Sequence, residues 1–174
     1  ILISVNDRDP QLHDVYRVKL ATGERTLVQK NEGFVGFSFD DDYRVRLATR
    51  FTPDGGSEIL KAAAAGFEPF AKVSPADSLT TNPIGFDKSG NTLYLLDSRE
   101  RDTAALTTVD LATGKSTVVF ADPRADVANV LVHPTEQTLQ AVAATYLREE
   151  WKVLDPSIAG DFEALRAFAS RSAR

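Results

Sequence analysis

The chain has 174 residues and a mass of 19.0 kDa, enough to bury one ordinary core. Its 43% hydrophobic and 26% charged residues are a globular rather than a disordered composition. A net charge of −5 and no cysteine argue against a duplex nucleic-acid binder, a disulfide scaffold, a thiol nucleophile and any thiolate metal site.

No apolar run approaches the ~20 residues of a membrane-spanning helix. Methionine is absent, position 1 included. The chain opens on Ile1-Leu2-Ile3-Ser4-Val5, without the charged flank of a leader. That opening is expected to be a strand entered midway, in a fragment of a longer polypeptide.

In chain order, residues 14–20 and 25–28 form a hairpin around Leu20-Ala21-Thr22-Gly23. A short run at 36–39 meets the polar turn Asp40-Asp41-Asp42, and 44–49 alternates polar with apolar as a half-buried strand requires. Ala62 to Ala65, before Gly66, is too short for a helix and is expected to be a loop in place of the Leu-Ala-Thr-Gly turn. The next group holds 84–86, the turn 88–91, a strand at 92–96, and a hairpin of 105–110 and 117–120 around 112–115. The last holds 130–132, the turn 134–137, 138–142 and 151–154. Asp155-Pro156 then reads as an N-cap followed by proline in the first helical turn. Ile158, Phe162, Leu165 and Phe168 or Ala169 place an apolar stripe on a helix over about 156–170.

These elements repeat. Leu-Ala-Thr-Gly occurs at 20–23 and 111–114, 91 positions apart. Phe39, Phe86 and Val132 close equivalent apolar runs at intervals of 47 and 46 residues. A period near 46 is one propeller blade of four short strands. The expected fold is therefore all-β: a partial β-propeller of 3–4 four-stranded blades with a C-terminal helical insertion. Its parts are a blade remnant at 1–32, blades at 33–78 and 79–127, and an incomplete blade at 128–174.

Chemistry is sparse. Ser38, in Gly36-Phe37-Ser38-Phe39-Asp40, lacks the second glycine of a nucleophile elbow and reads as an ordinary strand residue. No phosphate-cradling or dinucleotide glycine pattern is present. His13 and His133 stand 120 positions apart without a ligand at metal-helix spacing; His133 is expected in a turn and His13 at an interblade contact. Asp40-Asp41-Asp42 lacks the alternating spacing of a calcium loop and reads as a solvated hairpin tip. Arg99-Glu100-Arg101-Asp102 reads as a solvated loop ahead of a docking edge, and Trp151 as a side chain packed between blades ahead of a stacking platform. No catalytic, cofactor-binding or metal-binding residue is assigned, and no cofactor is expected.

The stretches Asn6-Asp7-Arg8-Asp9-Pro10-Gln11-Leu12-His13-Asp14-Val15-Tyr16-Arg17-Val18, Asp97-Ser98-Arg99 with Asp102-Thr103-Ala104-Ala105-Leu106, and Leu154-Asp155-Pro156-Ser157-Ile158 resemble the propeller of bacterial peptidases of the prolyl oligopeptidase family. The resemblance implies a propeller capping a C-terminal α/β-hydrolase domain and filtering peptides on their way to a Ser-Asp-His triad. None of that triad maps onto these residues, so the chain alone is expected to be non-catalytic. Its implied partners are the hydrolase domain of the parent chain and peptide in transit, with neither nucleic acid nor membrane. Open blade edges add an expectation of self-association. Two other readings stand beside this one: a free-standing TolB-like propeller that binds protein or peptide, and a propeller enzyme such as a lactonase or glycosidase, with carboxylates or metal ligands at the mouth.

Overall fold

The period of about 46 residues resolves into four antiparallel sheets laid down one after another. The computed structural model describes residues 1–172, and side chains through residue 169. The first sheet joins β1 (Leu2–Asp9), β2 (Leu12–Val18) and β3 (Arg25–Gln29) in the order β1-β2-β3. The second joins β4 (Gly36–Phe39), β5 (Val45–Phe51), β6 (Ser57–Ala63) and β7 (Gly66–Val73). The third joins β8 (Asn82–Phe86), β9 (Thr92–Asp97), β10 (Ala105–Asp110) and β11 (Ser116–Phe120). The fourth joins β12 (Val127–Val132), β13 (Leu139–Thr145) and β14 (Glu149–Val153). A 3-10 turn, Pro156–Ile158, then leads into helix α1 (Ala159–Ser172). Sequential strands pair with their immediate neighbours, the meander of a propeller blade.

The anchors Phe39, Phe86 and Val132 are the last residues of β4, β8 and β12. The residue after each one stops the strand by the same device. Asp40 Oδ1 accepts the backbone N–H of Asp42 at 3.1 Å and of Arg44 at 2.9 Å. Asp87 Oδ1 accepts from Asn91 at 3.0 Å and Thr92 at 2.9 Å. His133 Nδ1 accepts from Glu136 at 3.0 Å. Each side chain satisfies N–H groups that the strand ladder cannot reach, so the chain reverses there.

The other repeated signal also has a backbone cause. Gly23 and Gly114 both sit at φ 72°, a left-handed conformation that costs a side-chain-bearing residue about 1–2 kcal/mol. The alanine run forms the equivalent reversal more tightly than expected. Ala62 and Ala63 belong to β6, and only Ala64 and Ala65 turn.

Three other readings need adjustment. The run 40–42 is not simply solvated, because Asp40 is buried and also accepts from Arg46 Nη1 at 3.2 Å. The fourth sheet starts at Val127, inside the third expected interval. There Val127 N–H donates to the Ala104 carbonyl at 2.9 Å and the residue pairs with Ala144. The helix begins as a 3-10 turn, capped by Asp155, whose carboxylate accepts the Ser157 N–H at 2.9 Å.

The described residues form two compact units, Ile1–Leu79 and the part from Thr80 onward. In the second, Leu106, Val127 and Val142 make a buried cluster, with Leu96, Val130, Leu139 and Leu154 packed around it. In the first, Leu47, Ala48, Ile59 and Leu60 fill β5 and β6, and Val15 fills β2.

The first unit also contains a polar lock. Arg8 grips the buried Asp14 carboxylate through Nε at 2.6 Å and Nη2 at 2.7 Å, and Nη2 donates to the Asn31 carbonyl at 2.8 Å. Asn31 N–H returns to Asp14 Oδ1 at 2.7 Å. Asn31 Oδ1 then accepts the N–H groups of Gly33 and Phe34. Thus a β1 side chain, a β2 side chain and the connection leading to β4 are tied in one network with every main member paired.

Candidate functional site

The residues that the sequence singled out are spread over the strands and turns. Ser38 lies in the middle of β4, paired with Leu47 of β5. No sharp strand-to-helix turn presents its hydroxyl, so its environment is that of a strand residue. His13 is exposed on β2, and the expectation that it packs at an interblade contact is not met. Its neighbours Asp14 and Val15 are the buried ones. His133 serves the turn of residues 133–136. Among the described residues, no three His, Cys, Asp or Glu side chains gather as a metal site.

Trp151 stands on β14, the last strand of its sheet, rather than between blades. Its indole ring faces Phe162 of α1, with centroids 5.8 Å apart, and its Nε1–H donates to Glu149 Oε1. Glu149 also accepts from Asn129 Nδ2 at 2.6 Å, so one carboxylate holds the side chains of two strands. Arg166 of α1 donates to the Trp151 carbonyl at 2.9 Å. The indole is thus committed to seating the helix, and its ring is half-covered.

The loop Arg99-Glu100-Arg101-Asp102 contains a preorganised guanidinium. Arg99 donates through Nε and Nη2 to the two oxygens of Asp97, both at 2.8 Å. Burial alone pushes the Asp97 carboxyl up, but the Arg99 fork and its backbone N–H outweigh it and hold the carboxyl below its usual value. The same Asp-x-Arg unit recurs at Asp122-Pro123-Arg124, a signal visible in the sequence as a repeated three-residue pattern. Arg124 donates to Asp122 at 3.1 and 2.8 Å, which lowers the Asp122 carboxyl to about 2. Its guanidinium also reaches Glu150 at 3.4 Å and lies 5.4 Å from the Tyr146 ring centroid. These forks follow β9 and β11 at the same end of their strands. The turn between β13 and β14 also falls at that end, carrying the exposed Tyr146 and Leu147.

The first unit holds a groove of about 570 Å³, within the size range of small-molecule sites. Phe34, Leu60, Ala62 and Phe67 give it an apolar lining, with Lys30 and Arg50 beside them. Phe34 and Phe67 meet edge to face at 5.0 Å. Lys30 pairs with Glu32 at 3.1 Å and Arg50 with Glu58 at 2.7 Å. Paired charges beside an apolar floor can hold a ligand.

No family model matches the chain. It is 48% identical over 169 residues to dipeptidyl aminopeptidase BIII of Pseudoxanthomonas mexicana, covering 96% of this chain and 24% of that protein. It is 31% identical over 175 residues to dipeptidyl peptidase family member 6 of Caenorhabditis elegans, covering 95% of this chain and 24% of that protein. The chain therefore spans about a quarter of the length of the curated relatives it matches. Among solved structures, TolB from Acinetobacter baumannii superposes over 81% of this chain and 34% of its own, with a TM-score of 0.55 and 18% identity. The chain is a partial, TolB-like β-propeller, homologous to a segment of larger peptidases.

Proposed function

We propose that this chain is a non-catalytic propeller segment of a prolyl oligopeptidase-like serine peptidase, where it caps the hydrolase domain and filters the peptides that enter. The observation that carries this reading is 48% identity along 96% of the chain to a dipeptidyl aminopeptidase four times its length. The geometry supports it too. Arg8 is paired with Asp14 and Arg99 with Asp97, and Ser38 sits mid-strand, paired with Leu47, rather than on a sharp strand-to-helix turn. A rigid wall of capped hairpins restricts access without reacting, which confines proteolysis to short or unfolded chains.

A serine-reactive phosphonate probe tests the catalytic part. It is expected to leave the isolated chain unlabelled and to label the full polypeptide on a serine outside these 174 residues. Labelling of the isolated chain would refute the reading outright. A coding sequence with no Gly-x-Ser-x-Gly elbow downstream would favour the free-standing TolB-like binding module instead. For the filter, the full polypeptide should cleave a short peptide and leave the same sequence intact inside a folded domain. Equal cleavage of both contradicts it. The isolated chain is also expected to self-associate through its open blade edges, and a monodisperse monomer at all concentrations argues against that.

A further inference from the structure

Three turns of this chain are capped by the side chain that follows the last strand residue, and one of the three uses a different chemistry. Asp40 and Asp87 offer carboxylate oxygens to the backbone N–H groups of their turns. His133 offers imidazole Nδ1 instead, to the N–H of Glu136 at 3.0 Å and of Thr135 at 3.3 Å. A carboxyl group keeps an acceptor oxygen in either protonation state, whereas an imidazolium has two donors and no acceptor. Holding these N–H groups therefore requires a neutral ring with its proton on Nε2. Imidazole is also the side chain whose ordinary change of charge falls between about pH 5 and 8.

The turn that His133 holds is at the same time a seat. The buried Tyr94 of β9 donates its hydroxyl to the Gln137 carbonyl at 2.7 Å. Lys88, in the turn between β8 and β9, donates through Nζ to the Thr135 carbonyl at 2.6 Å. Residues 133–137 thus tie the fourth sheet to the third, inside the second compact unit. Gln137 N–H donates to the His133 carbonyl at 3.0 Å, as Gly90 N–H does to the Asp87 carbonyl at 2.9 Å. Gln137 sits at φ 53° and Gly90 at φ 70°. That left-handed backbone is costly to a residue with a side chain, so the turn without glycine depends more on its cap.

The charged groups on the elements packed against this turn are few. Glu136 lies within it, and Asp155 attracts the ring from the start of the helical segment. From the third sheet come Lys88 and Asp87, the latter occupied by Ser89, Asn91 and Thr92. A charged ring has carboxylates to face, and what it forfeits is the two N–H groups of the turn. We infer that His133 is a proton-sensitive latch on the seam between the third and fourth sheets. Neutral, the ring holds residues 133–137 against Tyr94 and Lys88. A proton taken from solvent at Nδ1 ends both N–H contacts, and the turn loosens while those at Asp40 and Asp87 stay capped. Every residue of the latch lies in this chain, so it stands whether or not the parent is a peptidase.

Amide exchange in the full polypeptide tests the latch, each rate being divided by that of an unstructured peptide at the same pH. From about pH 8 to about pH 5, protection of the Thr135 and Glu136 amides should fall at least about fivefold. Protection of the Asn91 and Thr92 amides, which Asp87 caps, should change by less than about twofold. His133→Asp places the side chain of the other two turns here and should keep the Thr135 and Glu136 protection constant over that range. His133→Asn, an acceptor that does not titrate, should do the same. Equal protection of the unmodified protein at both ends of the range overturns the inference. So does an undiminished fall in either variant, because another group then titrates. A fall shared equally by Asn91 and Thr92 overturns it as well, since acid then loosens the sheets as a whole.

Discussion

The first and fourth sheets each hold three strands, and they are short of opposite ones. Among the described residues, the first has no counterpart of β4, β8 and β12, and the fourth has none of β7 and β11. The consequences differ. No residue of β1 is buried, whereas β13 carries five consecutive buried residues, Gln140 to Ala144. The missing last strand is compensated by other means: Phe162 covers Trp151, and Arg166 occupies a main-chain carbonyl of β14. A strand between two partners has its backbone satisfied on both sides and can be buried, while an edge strand must keep one side wet or find another chain. Position within the blade, more than side-chain hydrophobicity, decides which residues form the core.

The comparison can be tested by substitution. The largest effect is expected from Leu106→Ala, in the cluster beneath the fourth sheet, at about 2–5 kcal/mol. Urea unfolding followed by Trp151 fluorescence measures it, and a loss below about 1 kcal/mol would mean that the cluster collapses freely around the cavity. Next comes Asp14→Ala, which strands Arg8 and leaves the Asn31 N–H without its acceptor. It should lower the unfolding midpoint of the first unit clearly more than Asp9→Ala, since Asp9 caps only the adjacent Gln11 N–H. Equal midpoints would show that the lock contributes nothing beyond a turn.

Phe162→Ala removes the cover over Trp151, at a cost of about 0.5–1.5 kcal/mol for the ring pair beyond its buried area. The indole emission should move to longer wavelength, and an unchanged spectrum would show that α1 does not shelter the fourth sheet.

Acid provides a subtler comparison. Asp14 and Asp122 each sit at about 2 when folded, against an ordinary 3.8. Arginine hydrogen bonds are the main cause in both cases. Their contribution is full above pH 3.8 and is lost as the pH falls towards 2, because in that window the unfolded chain binds protons on these carboxylates while the folded state keeps them ionised. Asp14→Asn and Asp122→Asn should each flatten the fall in stability across that window. A wild-type slope in both variants would contradict the assignment. Gly23→Ala and Gly114→Ala test whether the repeated turns are equivalent. Each should cost about 1–2 kcal/mol of backbone strain, and by nearly the same amount, since no other atom lies within 4 Å of an added Cβ at either position. A marked inequality would show that the two turns are not equivalent.

Much of the architecture was legible because a propeller writes itself locally. Phe39, Phe86 and Val132 end their strands where the spacing placed them, and Asp155 and Pro156 begin the helix as capping chemistry requires. The candidate site was less legible. Nothing near Asp14 announces Arg8 as its partner, and the Asp-x-Arg forks repeat only three residues at a time. Trp151 looked like a side chain between blades because alternation reports that a residue faces inward, not what lies over it.

The order of strands, the position of the turns and the lack of a nucleophile elbow were determined by the sequence itself. Each depends on residues within a few positions of one another, through hydrogen bonds and backbone angles that need no distant partner. Only the tertiary structure decided that Asp40 is buried, that Arg8 holds Asp14 and Asn31 together, and that β13 is buried where β1 stays open. Burial depends on which sheet lies over a face, and that is a property of the assembled blades rather than of any stretch of chain.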